Sequence, residues 1–75
     1  MFVEFTTVQE EKGIIRWDKI IAVYPHVYKD TITILHVEDE FYINIKESVE
    51  EMQDRINVVQ AAALAYKQLI QNKED

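Results

Sequence analysis

The chain has 75 residues, 48% of them hydrophobic, with fourteen acidic and eight basic side chains, a net charge of −6 and no cysteine. A single domain of this size buries only about 60–65% of its unfolded surface. With no disulfide and no thiolate metal site available, oligomerisation is the remaining common source of extra stability. The basic residues are scattered from Lys12 to Lys73 and form no stripe, which disfavours direct binding to a nucleic-acid backbone.

The first residues, Met1–Val8, carry no positive start and no long apolar run, so no signal peptide is expected. Val3–Val8 is rich in β-branched and aromatic residues and reads as a strand with Val3 and Phe5 on one face. The polar run Gln9–Lys12 leads to Gly13, the single glycine, expected at a turn position of positive φ. Ile14–Trp17 reads as a return strand. Asp18 and Lys19 make a corner before a further strand, Ile20–Tyr24, closed by Pro25.

Thr31–Val37 and Glu40–Lys46 flank Glu38-Asp39 and read as a hairpin with a two-residue connection, although the lack of an Asn-Gly or Asp-Gly turn leaves a longer loop open. Zipped from that turn, Ile34 faces Ile43, Ile32 faces Ile45 and His36 faces Phe41, all on the core side. The same register sends Leu35 and Tyr42 to the other side as a candidate partner face.

Ser48 followed by Glu51 forms a capping box, and Glu50, Glu51 and Asp54 suit the positive end of a helix dipole. No glycine or proline interrupts Val49–Asn72, so one helix of about 36 Å is expected over 49–72. Strands of five or six residues reach only about 17–20 Å, and the distal half of the helix should overhang them. Val49, Met52, Ile56, Val59, Ala63, Tyr66 and Ile70 form one apolar stripe. A second stripe, Val58, Ala62, Ala65 and Leu69, exists only in the distal half. One stripe can face the chain's own sheet; the other needs a partner, unless the helix bends or breaks near Ala61 and folds back on that sheet. Val58, Ala62, Ala65, Tyr66 and Leu69 are therefore the candidate self-association residues. Residues Asn72–Asp75 are expected to fray.

Sites of chemistry are harder to find. The histidines, His26 and His36, lack convergent carboxylates, so no metal site is expected. Ser48 is committed to capping, no nucleophile has a supporting base, and one glycine cannot build a phosphate-cradling loop. No catalytic residue and no cofactor site is assigned. The acidic cluster Glu38, Asp39, Glu40, Glu47, Glu50, Glu51 and Asp54 raises an alternative: an acidic inhibitor or DNA mimic that captures a basic nucleic-acid-binding protein.

The chain runs from short strands through Arg16-Trp17-Asp18-Lys19-Ile20 and a Thr-Ile-Thr-Ile hairpin to Lys46-Glu47-Ser48-Val49-Glu50-Glu51, which opens the helix. Over residues 14–56 this resembles the small FlbD-like family, encoded in flagellar gene clusters, and similar short proteins of phages and prophages. The chain departs from that pattern where Val37-Glu38-Asp39-Glu40 stands in place of a glycine-containing turn, and in its helical extension beyond Ile56. The resemblance implies a small β-rich accessory module without enzymatic activity. The sequence thus predicts an α+β domain over 1–75: a curved antiparallel sheet of four to five short strands over about 2–46, then one long helix. Its longest uncharged stretch, Ile56–Tyr66, is shorter than the roughly 18 residues of a membrane span. A cytoplasmic homo-oligomer with no membrane association is expected.

Overall fold

A computed structural model describes residues 1–73. Five strands precede one helix: β1 (Phe2–Thr6), β2 (Lys12–Arg16), β3 (Ile20–Pro25), β4 (Thr33–Val37), β5 (Phe41–Ile45) and α1 (Val49–Lys73). The α+β architecture matches the sequence reading. The strands divide into an antiparallel pair, β1-β2, and an antiparallel triplet in the order β3-β4-β5. A bridge between Thr7 and Ile45 joins the two sheets, reinforced by Lys46 N–H donating to the Thr6 carbonyl at 2.8 Å. The short 3₁₀ turn Trp17–Lys19 makes the corner between β2 and β3.

Alternation sets the core. Val3 and Phe5 point inward from β1, Leu35 and Val37 from β4, Ile45 from β5, and Met52 comes down from the first turns of α1. Ile15, Trp17, Ile20, Val23, Ile43, Ile56 and Val59 pack around them. This core lies between the strands and the proximal half of the helix.

Two local expectations are corrected. Gly13 is not in a turn: it pairs with Phe5 inside the β1-β2 ladder, and its φ is not positive. The left-handed residue of that turn is Glu10, at φ 67°. In the second hairpin the connection is three residues, Glu38–Glu40, rather than two. Thr33 therefore faces Ile45, Leu35 faces Ile43 and Val37 faces Phe41. A one-residue slip exchanges the faces of β4. Leu35 is 0% exposed at the centre of the core, so it belongs to no partner face. Ile34 and His36 take the outer side instead.

The helix starts as expected. Ser48 Oγ accepts the Glu51 N–H at 3.0 Å, and Met52 N–H donates to the Ser48 carbonyl at 3.0 Å. It runs unbroken through Lys73, past the expected end at 72; Glu74 and Asp75, on which part of the expected fraying falls, lie outside the described residues. Twenty-five residues make a rod of about 37 Å. The molecule accordingly measures 52 × 23 × 21 Å. Among the described residues no helix is long and apolar enough to cross a membrane.

Candidate self-association surface

The helix is fixed at its root by one partly buried ion pair. Glu47, 7% exposed, accepts the Thr6 N–H at 2.8 Å through Oε1. Its Oε2 accepts from Arg55 Nη1 at 3.1 Å, and the same nitrogen donates to the Glu4 carbonyl at 3.0 Å. Burial pushes the Glu47 carboxyl up, but the hydrogen bonds from Thr6 and from its own N–H, with the Arg55 charge, hold it below its usual range. The group ties β1, the β5–α1 junction and the helix into one body, so the direction in which α1 leaves the sheet is set by the core and by this pair.

Beyond that root the helix loses its cover. Met52 is buried, Ile56 and Val59 are half-buried against the core, and Ala63 is half-buried. From Leu64 to Gln71 every side chain is exposed. The stripe that begins on the core therefore continues bare through Tyr66 and Ile70. Beside it the predicted second stripe is exposed along its whole length: Val58 is 70% exposed, Leu69 57%, and Ala62 and Ala65 are open as well. At 100° per residue the two stripes adjoin, with Tyr66, 60% exposed, near the middle of the combined arc. The structure thus brings together all five candidate residues, Val58, Ala62, Ala65, Tyr66 and Leu69, on one continuous apolar surface.

Sequence reasoning missed one contributor. Phe2, 56% exposed, lines a shallow depression of about 400 Å³ with Val3, Val58 and Val59 on its apolar side and Glu4, Asp54 and Arg55 on its charged side, at the root of the surface. The available signal was parity: Val3 and Phe5 point inward, so Phe2 must point out.

The amount of bare surface is informative. The chain exposes 5749 Å², against about 4800 Å² for a compact monomer of this mass, an excess of roughly 900 Å². Its radius of gyration is 14.4 Å, against about 11 Å for a compact domain of this length. A specific interface of standard size covers about 800 Å² on each partner. The surplus is of that order.

The outer side of the β3-β4-β5 sheet is a separate feature. Tyr42 is exposed there, as expected, but its neighbour is His36: the two rings stack at 4.4 Å and 15°. His26, in the loop that follows β3, uses Nδ1 to accept the N–H groups of Tyr28 and Lys29 at 3.1 and 3.2 Å. Among the described residues no group of three or more histidines and carboxylates is placed to hold a metal ion. Of the acidic cluster, Glu47 and Glu51 face Arg55, and Glu38 faces Lys19 at 3.0 Å, so basic neighbours offset part of its charge.

No family model, curated protein or solved structure matches the chain.

Proposed function

We propose that this chain is a non-enzymatic, cytoplasmic assembly module that self-associates through the exposed half of α1. The observation that carries the reading is the bare apolar arc around Tyr66, on a helix that leaves its own core at Ala63. Its surplus area is comparable to one side of a standard interface. The reading extends the FlbD-like resemblance, which implies a small accessory module, to one that assembles through its helix. The acidic-inhibitor alternative is less favoured because Arg55 and Lys19 already engage part of the acidic cluster.

Light scattering over a wide concentration range is the test. A mass of at least two chains is expected, falling to one chain in Ala62→Glu and Leu69→Glu with the circular dichroism of the fold retained. A wild-type mass of one chain at every concentration overturns the reading.

A further inference from the structure

The exposed arc differs along its length in a way that bears on how two copies meet. At its root, Phe2, Val3, Val58 and Val59 form the apolar wall of a depression of about 400 Å³ that Glu4, Asp54 and Arg55 complete. In the middle Ala62 and Ala65 present almost nothing above the backbone. Towards the tip Tyr66, Leu69 and Ile70 project large side chains into solvent. Hole, flat and knob follow one another along one seam.

Parallel packing of two such helices would set hole against hole at the root. It would also bring charges together. Continued towards the helix start, the line through Leu69, Ala65, Ala62 and Val58 meets Arg55 and Glu51. In a parallel pair each would face its own copy, and like charges in apposition are unfavourable.

We propose that a second copy docks antiparallel, about a two-fold axis between residues 63 and 64, so that the tip of each helix seats in the root depression of the other. This rests on the self-association reading above. In that register Val58 meets Leu69 and Ala62 meets Ala65, and each contact is made twice, as a two-fold interface requires. The alanines let the backbones approach where the helices cross, and Leu69 is the knob for the hole beside Phe2 and Val58. Arg55 and Glu51 then lie towards the partner's tip, away from their own copies. The folded bodies stand at opposite ends of the rod.

Disulfide trapping tests the orientation, and the absence of native cysteine makes each introduced thiol unique. Val58→Cys and Leu69→Cys are purified separately, unfolded and refolded either alone or as a mixture, then oxidised. Antiparallel pairing separates Val58 from its own copy by about 16 Å along the axis, too far for a disulfide. The expected result is a crosslinked dimer in the mixture only, with each single variant no higher than an off-seam Lys67→Cys control. Crosslinking of Val58→Cys or Leu69→Cys alone above that control would establish parallel pairing and overturn the proposal. A multimer by light scattering with no trapped species would overturn the register. A monomeric wild type would instead remove the self-association reading beneath it.

Discussion

The ring of Phe5 lies across Gly13 on the neighbouring strand, with Cζ 2.5 Å from where a Cβ on residue 13 would stand. The glycine is thus required by close approach and not by backbone conformation, and Phe5 covers the gap it leaves in the sheet. Ordinarily alanine in place of a strand glycine gains about 0.5–1 kcal/mol, because glycine loses the most conformational freedom on folding. Here the sign should reverse. Phe5 is buried among Val3, Leu35 and Met52 and cannot move without disturbing them. Gly13→Ala is expected to cost about 1–3 kcal/mol by overpacking. Urea unfolding measures it, and most of the loss should disappear in a Phe5→Leu background. A Gly13→Ala protein as stable as the parent would mean that the ring yields freely.

Glu47 gives the fold an acid dependence whose direction follows from its surroundings. Its folded pKa lies below the ordinary 4.5, so its contribution is fully present above that value and is lost as pH falls through the folded pKa. Glu10 is also held low, by its hydrogen bond from Lys46 and then by that charge, so some acid dependence belongs to it. Glu47→Gln should lower stability at neutral pH by about 1–3 kcal/mol, since Arg55 loses its partly buried anion. The same variant should lose less than the parent between neutral pH and pH values below 4.5. Unfolding midpoints taken across that range decide the matter; parallel acid profiles for parent and variant would assign the pH dependence elsewhere.

What was legible in the sequence was what local chemistry determines. Ser48 and Glu51 marked the helix start because a cap is a contact within one turn. The overhang followed from comparing helix and strand lengths. Strand β5 was placed in the right parity, with Ile43 and Ile45 inward and Tyr42 outward, but Phe41, expected in the core opposite His36, is 65% exposed at the start of the strand and pairs with Val37. Strand β4 was not, because Ile32 and Ile34 on one parity are as apolar as Leu35 and Val37 on the other. Only the turn length could choose between them. Counting the connection as Glu38-Asp39 moved the register by one residue, exchanging the places of Leu35 and Ile34. The role of Gly13 was hidden for a related reason: its determinant, Phe5, is distant in sequence and adjacent only once the ladder forms.

Ser48 offers a variant that separates folding from assembly. Replacing it with alanine removes the acceptor for the Glu51 N–H, a loss of about 1 kcal/mol at a helix start. The cap lies in the proximal half of α1, away from the exposed arc. Ser48→Ala should therefore lower the unfolding midpoint while leaving the light-scattering mass at working concentration unchanged. Leu69→Glu should do the reverse, lowering the mass with little effect on the monomer's own unfolding. Loss of mass in Ser48→Ala, under conditions where the fold persists, would count against assigning assembly to the distal helix.

The second hairpin turn leaves room for stabilisation. Asp39 and Glu40 both adopt left-handed backbone, at φ 64° and 61°. Aspartate visits that region readily, whereas glutamate lacks the short side chain that eases it. Left-handed backbone costs a non-glycine residue about 1–2 kcal/mol. Glycine removes that cost but returns about 0.5–1 kcal/mol in lost chain entropy. Glu40→Gly should therefore gain up to about 1.5 kcal/mol net. Glu40 is exposed, so Glu40→Ala removes the same charge without relieving the backbone and serves as the control. A higher urea midpoint for the glycine variant alone would assign the gain to φ. Equal gains in both would assign it to relief of the Glu38-Asp39-Glu40 repulsion.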